Sequence, residues 1–512
     1  MTEMVALLSR GEWLSLEDVI AQIIVDSAEA EPAIAFAISG GGATGAYEAG
    51  VLDAWSHVVA SKYPQHGFLK PRFILGSSAG ALNAVTTLTT SLRPGAGDRF
   101  GFEIWRALCP RAAPFIVGAG RSGLIDLATR WIKIGGPPGR SHRVPQQIAF
   151  LVVVAAFVLF SISAGVAGIA RHPVPAGVLC AVVGSAIVVV LRRVFHRAVF
   201  WNRALAQTIA CVLGASVDPK TSRVPPDALR VRSVDPAQAG TTFANLWYAA
   251  QAVFGPQGGG AANLRPNFIV TTTDLTTGGP NLFTLVDPGV FQRLSARGWQ
   301  VMQVMDPKRL CPGYLGPSAL CGWVGSDDFI TCVVASTSIP GVFPSQRLTL
   351  HELGGSSTTD HDFVDGGVLN NTPIDIALDA GATHIISFEL EPLSRHGAFR
   401  YVAEGVPPSL GRNLIQTFET LLSNSTRKGI EMASSWNREL VSDKSSKPVE
   451  KRLVPIFRMA PRRRELNLID FDGHYESAFA KSSPSLEQWL TRGFEDASHE
   501  RLFWNATFQP DP

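Results

Sequence analysis

The sequence predicts an α/β fold built on a parallel β-sheet, with a transmembrane helical hairpin inserted into it. Two observations predict the sheet. Ala33–Ser39 and Pro71–Leu75 both look like buried strands, and each runs into a glycine-containing turn and then a helix. The third observation is the stretch Ile148–Leu191, which is apolar and almost free of charge. Because parallel strands end at the same edge of a sheet, we expect the two glycine turns to lie there together.

The composition narrows the class of protein. A net charge of +2 and a charged fraction of 17% argue against nucleic acid as the main partner. A mean hydropathy of +0.15 favours contact with a membrane. The six cysteines contain no CxxC pair, so neither a disulfide framework nor a zinc site is expected. This use of cysteine is typical of a protein in a reducing compartment. No basic region followed by an apolar run marks a cleaved signal peptide.

Residues 1–31 are predicted to be an amphipathic helical extension. Ser15 and Asp18 suit the start of a helix. Packing on the main domain is favoured over anchoring at a membrane surface. Five apolar residues share one face of this helix: Leu16, Val19, Ile20, Ile23 and Ile24.

The first glycine turn has two interpretations. Gly40, Gly42 and Gly45 satisfy the dinucleotide pattern G-x-G-x-x-G. That pattern also needs an acidic residue about 20 positions further on to bind the ribose, and none occurs between Asp53 and Asp98. The favoured interpretation is an oxyanion loop, in which exposed backbone N–H groups and the start of a helix stabilise negative charge.

The second glycine turn, Gly76–Gly80, has the pattern G-x-S-x-G between a strand and a helix. In a nucleophile elbow the glycines allow a turn too tight for a Cβ atom, and the central serine is lifted clear of the backbone. The pattern therefore makes Ser78 a candidate nucleophile.

The uncharged stretch is predicted to be a membrane-inserted hairpin rather than a buried soluble one. Ile148–Ala170 and Val174–Leu191 each lack charge and match the roughly 20 residues that cross a bilayer. By the positive-inside rule, both ends of the hairpin face the cytoplasm. The tip of the hairpin has one arginine, Arg171, whereas five arginines flank its two ends: Arg140, Arg143, Arg192, Arg193 and Arg197.

Regular structure is predicted again in the second half of the chain. Residues 267–272 form a strand that ends at Asp274, and 384–390 form a last strong strand. Residues 411–436 form an amphipathic helix, and 453–459 add a possible strand. Between them, Phe363-Val364 leads into Asp365-Gly366-Gly367, which sets a carboxylate on a turn at a strand end.

A serine nucleophile needs a base, and the usual base is histidine. None of the eleven histidines has a context that marks it as that base. His361 lies in a polar stretch expected to be a loop. Asp360-His361-Asp362 lacks further ligands at a recognisable spacing, so no metal is expected. Asp365 is the better partner, and a serine and an aspartate acting without histidine would be a dyad.

These motifs occur in the order found in patatin-like phospholipases, which the sequence resembles over about 33–126 and 265–395. Supporting stretches that also look like the family are Thr273–Gly278, Ala335–Pro344 and Val368–Pro373. The resemblance implies a three-layer α/β/α acyl hydrolase fold with a serine–aspartate dyad and no metal or other cofactor.

Carried over by position, the resemblance makes Ser78 the nucleophile and Asp365 the base. It places the oxyanion hole at Gly40, Gly41 and Gly42, with possible help from Ala79. The glycines that support the motifs are Gly45, Gly76, Gly80, Gly366 and Gly367.

Two departures from the family pattern bear on the substrate. Thr44 stands where the family usually has Arg or Lys, which weakens the case for a phosphate contact at this position. The expected substrates therefore include neutral acylglycerols or other esters as well as phospholipids. The hairpin is the second departure, and it would hold the site beside the bilayer. We therefore predict a membrane-associated lipid acyl hydrolase. Alternatives of another class are a catalytically idle membrane scaffold and a nucleotide-binding membrane protein.

The chain is divided into six predicted segments. They are the N-terminal extension (1–31), the first part of the hydrolase domain (32–135), the hairpin (136–200), a linker or lid-like region (201–262), the second part of the hydrolase domain (263–398) and a C-terminal helical part that packs on it (399–512).

Overall fold

A computed structural model describes part of the chain. The predicted hairpin at 148–191 and much of the predicted 201–262 segment lie outside the described residues. Within the described residues, no helix is long and apolar enough to cross a membrane. The described residues are 11–28, 31–92, 105, 205–206, 209–210, 213, 235–254, 266–305, 321–340, 343–353, 356–390, 410–442, 453–461 and 486–509.

The described strands form one sheet. In chain order they are β1 (Trp13–Leu14), β2 (Ile34–Ile38), β3 (Phe73–Gly76), β4 (Asn267–Asp274), β5 (Gly279–Leu285), β6 (Gln300–Val304), β7 (Cys321–Val324), β8 (Gln346–Glu352), β9 (Thr358–Asp365), β10 (His384–Phe388), β11 (Ile456–Met459) and β12 (Phe503–Asn505). Their spatial order is β1-β12-β11-β10-β2-β3-β4-β5-β6-β7-β8-β9, and β9 returns to pair with β4.

The described helices are α1 (Leu16–Asp26), α2 (Gly45–Lys62), α3 (Ala79–Leu92), α4 (Pro236–Phe254), α5 (Pro288–Ala296), α6 (Phe329–Ser336), α7 (Ile374–Ala380), α8 (Leu410–Ser442) and α9 (Leu486–His499).

The centre of the sheet is parallel, as predicted. The strands β11, β10, β2, β3 and β4 run side by side in the same direction. Every residue of β2 and β3 is buried, which is the pattern of strands covered on both faces. The predicted α/β class is confirmed.

Helices cover both faces of this central sheet. Successive side chains of a strand point to opposite faces, so the fully apolar strands present an apolar surface on each side. On one face, Ala35 and Leu75 join a core cluster with Phe291 of α5 and Ile376 of α7. On the other face, the Phe36 ring meets the Trp55 ring of α2 edge to face, with centroids 5.2 Å apart. The result is a helix–sheet–helix layering around the strands that end at the glycine turns.

The chain divides into two units, one made of residues 1–113, 202–340 and 345–512, the other of 114–201 and 341–344. All of the strands and helices given above belong to the first unit. The predicted hairpin lies in the second.

The N-terminal helix matches its prediction closely. Ser15 and Asp18 form a capping box, in which each side chain accepts a hydrogen bond from the other's backbone N–H. Val19, Ile20 and Ile23 are fully buried. The apolar face of α1 is thus covered by the domain, as the packing interpretation predicts.

Three parts of the fold differ from the sequence prediction. The polar stretch around His361 is a strand, not a loop, because β9 pairs with both β8 and β4. The 201–262 segment contains α4, whose Phe243 ring stacks on Phe329 of α6 at 5.0 Å. The C-terminal part adds β12, which was not predicted, beside β11, which falls within the strand predicted at 453–459.

Candidate active site

The turn around Ser78 has the geometry of a nucleophile elbow. β3 ends at Gly76, α3 begins at Ala79, and Ser78 between them has a φ of 52°. A serine in this left-handed region costs on the order of 1–3 kcal/mol, so the surrounding structure must hold it there. The backbone N–H of Ser78 donates to Ser336 Oγ at 3.0 Å, and the N–H of Ser77 donates to the Ile38 carbonyl at 3.2 Å.

The two glycines that flank the elbow are required by close backbone contacts. A Cβ on Gly76 would overlap the Gly80 carbonyl group, and a Cβ on Gly80 would overlap the carbonyl oxygen of Ile38. The start of α3 is therefore pressed against the end of β2, which leads directly into the glycine loop.

The glycine loop, Gly40–Gly42, lies against the nucleophile. A Cβ on Gly40 would be 2.5 Å from Ser78 Cβ. Gly42 has a φ of 57°, a conformation that glycine adopts without steric cost. The loop then continues through a 3₁₀ turn, Gly42–Thr44, into α2, with Gly45 packed against Ala79 and Trp105.

The three predicted oxyanion glycines are not equivalent. The Gly40 N–H already donates to Asn371, at 3.0 Å to Oδ1 and 3.2 Å to the main-chain carbonyl, so Gly40 is a poor choice as an oxyanion donor in this conformation. The N–H groups of Gly41 and Gly42 make no hydrogen bond within the described part of the chain. Thr44 closes the loop from within, since its hydroxyl and its N–H both donate to the Gly41 carbonyl, at 2.5 and 3.2 Å.

Asp365 lies at the end of β9 and is fully buried. Its Oδ1 accepts the Gly367 N–H at 2.8 Å, which caps the 3₁₀ turn Gly366–Val368. Its own N–H donates to the Ser338 carbonyl at 2.9 Å, and its carbonyl accepts the Thr273 hydroxyl at 3.0 Å. The backbone of Asp365 is therefore held at both its N–H and its C=O, and the carboxyl group is oriented through Oδ1.

The sheet itself brings Ser78 and Asp365 together. β3 lies beside the first half of β4, where Gly76 is opposite Val270. β9 lies beside the second half of β4, where Asp365 is opposite Thr272. Two residues of a strand span about 7 Å. As β3 turns away into the elbow, β9 occupies the same edge of β4 and delivers Asp365 next to it.

The Asp365 carboxyl and the Ser78 hydroxyl influence each other. Burial raises the pKa of Asp365 to about 7, against the lowering effect of the Ser78 hydroxyl and the Gly367 N–H. Asp365 Oδ2 has no hydrogen-bond partner within the described residues, but the Ser78 hydroxyl is close enough to the carboxyl group to lower its pKa. A carboxyl with a pKa near neutrality beside a serine hydroxyl is suited to exchange a proton with it.

A buried polar network ties the two helices that start at the site. Glu48 of α2 accepts hydrogen bonds from the Ser39 hydroxyl at 3.0 Å and from Asn83 Nδ2 of α3 at 3.1 Å. Asn83 also donates to the Gly45 carbonyl at 2.9 Å and accepts the Trp105 indole N–H at 2.8 Å. Burial raises the pKa of Glu48 well above its usual range, which favours the neutral acid.

His361, the histidine nearest to Asp365 in sequence, is engaged elsewhere. Its Nδ1 lies 2.7 Å from Oδ2 of the buried Asp274. Although burial acts to raise the pKa of Asp274, hydrogen bonds from His361, Thr276 and Thr277 bring it below its usual value. Among the described residues, no histidine hydrogen-bonds to Ser78 or Asp365.

The strand also separates the three side chains of Asp360-His361-Asp362. Successive side chains of a strand point to opposite faces, so His361 and its two neighbours diverge. Asp362 instead pairs with Arg347 at 2.9 and 3.1 Å, and Asp360 accepts the Thr349 hydroxyl at 2.8 Å. Within the described ranges, no group of three or more His, Cys, Asp or Glu residues is arranged to hold a metal ion.

Sequence reasoning did not assign roles to Ser336, Ser338 and Asn371. The first two lie at and just after the end of α6, and they hold the backbone of Ser78 and of Asp365 respectively. Asn371 holds Gly40. All three fall in stretches that resemble the family, Ala335–Pro344 and Val368–Pro373, but only the fold reveals which backbone group each one contacts.

Comparison with known proteins finds one matching family model. The family model described as patatin-like phospholipase matches residues 36–141 and 321–378. No curated protein matches the chain. Among solved structures, the crystal structure of VipD from Legionella pneumophila matches at 12% sequence identity over 91% of this chain and 67% of that one. Its TM-score is 0.28, which is too low to support a structural argument.

The two segments matched by the family model contain all the motifs that the fold brings together. The first contains the glycine loop and the nucleophile elbow, and the second contains Asp365 and the turn that follows it. The unmatched interval between them includes the predicted hairpin. Over these two segments the chain is similar to the patatin-like phospholipase family.

Proposed function

We propose that this protein hydrolyses fatty-acyl esters of lipids, with Ser78 as nucleophile and Asp365 as general base. One observation carries the proposal. Ser78, held in a left-handed elbow, faces a buried carboxyl group whose pKa is about 7. A serine hydroxyl is a weak nucleophile until a neighbouring base takes its proton, and Asp365 is the base in position to take it.

The first half of the reaction acylates the enzyme. Asp365 Oδ2 takes the proton of Ser78 Oγ as Oγ attacks the ester carbonyl carbon. The carbonyl oxygen becomes an oxyanion, which the N–H groups of Gly41 and Gly42 stabilise, joined by that of Ala79 at the start of α3. When the tetrahedral intermediate collapses, the proton on Asp365 passes to the leaving alcohol, and the acyl group stays on Ser78.

The second half releases the fatty acid. A water molecule attacks the acyl-Ser78 carbonyl and gives a proton to Asp365. Collapse of the second tetrahedral intermediate breaks the bond between the acyl carbon and Ser78 Oγ. The proton on Asp365 returns to Ser78 Oγ, so the enzyme is regenerated without any other group.

We further propose that the enzyme works at a membrane. The support is the sequence of the predicted hairpin at 148–191, with arginines at both ends, which favours two transmembrane helices and a catalytic domain facing the cytoplasm. Thr44 is turned inward onto the Gly41 carbonyl and supplies no positive charge to a phosphate. The substrates proposed are membrane phospholipids or neutral acylglycerols.

The experiment that tests the function is fatty-acid release by the detergent-purified full chain from vesicles of mixed phospholipid and acylglycerol. Wild type should release fatty acid, whereas Ser78→Ala and Asp365→Asn should not. The lipid that disappears identifies the substrate class.

The chain offers a matched control for each variant. Ser77 is buried beside Ser78, and its hydroxyl has no hydrogen-bond partner within the described residues, so Ser77→Ala should keep full activity. Asp360 is exposed on the same strand as Asp365, and Asp360→Asn should also be active.

A fluorophosphonate probe separates a wrong substrate from a wrong mechanism. If no lipid is cleaved but wild type is labelled and Ser78→Ala is not, the serine is activated and the substrate is another ester. If neither assay gives a signal, the hydrolase proposal fails and the scaffold alternative replaces it.

A further inference from the structure

The amide side chain of Asn371 forms a two-way hydrogen bond with the backbone of Gly40. Its Oδ1 accepts the Gly40 N–H at 3.0 Å, and its Nδ2 donates to the Gly40 carbonyl at 3.2 Å. Only one orientation of the amide satisfies both bonds, because Gly40 presents one donor and one acceptor. Asn371 is 5% exposed, so these bonds form away from water.

Asn371 is itself held by α8. Its Nδ2 also donates to the Thr426 hydroxyl at 3.2 Å, and its backbone N–H donates to the Ser425 hydroxyl at 3.0 Å. The Ser425 hydroxyl donates in turn to the Leu369 carbonyl at 3.1 Å. The position of Asn371 is thus set by the helix and not only by its own loop.

The same side chain lies beside the Asp365 turn. A Cβ on Gly367, whose N–H binds the Asp365 carboxylate, would be 2.8 Å from Asn371 Oδ1. On its other side, Gly40 is in contact with Ser78. One side chain therefore touches the glycine loop and the turn that carries the base, at the point where both approach the nucleophile.

We propose that Asn371 is a positioning residue that fixes the glycine loop relative to Ser78 and Asp365. The proposal rests on the function proposed above. By holding Gly40 at both its N–H and its C=O, Asn371 fixes where the next two N–H groups, those of Gly41 and Gly42, point. An oxyanion hole depends on donors that are aimed before the charge develops, so a loosened loop lowers the rate of chemistry.

The expected effect of Asn371→Ala is a fall in kcat of about ten- to a hundredfold, because a displacement of about 1 Å at a reacting centre has effects of this size. The KM for a short-chain soluble ester should stay within about twofold, since the lost interaction acts mainly in the transition state. The rate of labelling by a fluorophosphonate should fall in parallel, because that reaction also places negative charge in the oxyanion hole.

The neighbouring asparagine is a matched control. Asn370 is similarly buried, but its Nδ2 donates to Asp375 at the start of α7 at 2.8 Å and not to the glycine loop. Asn370→Ala should therefore change stability without the specific loss of kcat and labelling rate. Both variants are compared as the full chain in detergent, at temperatures below their unfolding transitions.

A second pair of variants keeps the test decisive if Asn371→Ala does not fold. Thr426→Val removes the hydroxyl that supports the Asn371 amide, and Thr426→Ser keeps it. The valine variant should lose about three- to tenfold in labelling rate and the serine variant should recover it. A double variant with Asn371→Ala should show no further loss, because both changes break one chain of contacts.

The outcomes separate the two proposals. If wild type is not labelled at all, the function proposed above fails. If wild type is labelled and Asn371→Ala is labelled equally fast, the positioning role of Asn371 is wrong. Equal losses in Asn370→Ala and Asn371→Ala at matched stability would also overturn it, since the effect would then be a general loosening of the loop.

Discussion

The raised pKa of Asp365 predicts a specific dependence of activity on pH. As a general base, Asp365 must be ionised before it can take the proton of Ser78. With a pKa of about 7, kcat/KM should rise with pH through neutrality and level off above it. At about pH 6 only about a tenth of the carboxyl groups are ionised, so kcat/KM should be about tenfold below its plateau.

The same pKa has the opposite effect on stability. Below about pH 4 the carboxyl is protonated in both the folded and the unfolded chain. As the pH rises from there, the unfolded chain ionises first and the folded chain keeps its proton, so the stabilising contribution of the group is lost as the pH approaches the folded pKa. The difference between about 7 and the ordinary 3.8, at about 1.4 kcal/mol for each pKa unit, gives about 4 kcal/mol.

Asp365→Asn removes this titration and supplies the comparison. Wild type should lose about 4 kcal/mol of unfolding free energy relative to Asp365→Asn between about pH 4 and pH 8. Chemical denaturation across this range measures it, with Asp360→Asn as an exposed control that should show no comparable trend. An acid limb of kcat/KM near pH 4, together with a pH-independent stability difference, would refute the argument that burial sets the pKa of this base.

Three further predictions follow from the described contacts. A Cβ on Gly41 would overlap Leu390 and lie 2.6 Å from Thr44 Oγ1. Gly41→Val should therefore lower kcat on the order of a hundredfold, while Gly67→Val, at a glycine with open space around it, should leave kcat unchanged. Ser336→Ala removes the acceptor of the Ser78 N–H and should slow fluorophosphonate labelling about tenfold without preventing folding, as judged by circular dichroism. Deletion of residues 145–195 should move the protein from the membrane pellet to the soluble fraction while cleavage of short-chain esters persists; a deleted form that still pellets with membranes would show that this segment is not the anchor.

The features that the sequence predicted are those fixed by local constraints. The buried strand before Gly40 is marked by a hydrophobic run, and the G-x-S-x-G turn by five consecutive residues in which Gly76 lies against the Gly80 carbonyl. The capping box of α1 is local in the same way. In each case a short stretch of sequence contains both the residue pattern and the groups that these residues contact.

The features that the sequence did not predict depend on contacts between distant parts of the chain. The stretch around His361 looks like a loop because it is polar, yet Thr358–Asp365 is a strand. Its backbone N–H and C=O groups pair with those of β8 and β4. Thr358, Thr359 and Asp360 are exposed, so their polarity does not oppose the strand. The bond from Asn371 to Gly40 joins residues 331 positions apart, and no local pattern marks it.

Under the proposed function, the placement of Asp365 accounts for an aspartate acting where a histidine is usual. An exposed carboxylate, with a pKa of about 4, would be too weak a base to activate a serine near neutrality. Burial at the junction of β4 and β9 removes water from the carboxyl and brings its pKa to about 7, close to that of an ordinary histidine. The hydrogen bond from the Gly367 N–H to Oδ1 orients the group, and Oδ2 has no hydrogen-bond partner within the described residues. A second strong donor at Oδ2 would lower the pKa of Asp365 and weaken the base, so the sparse hydrogen bonding of this buried carboxyl group favours the proposed reaction.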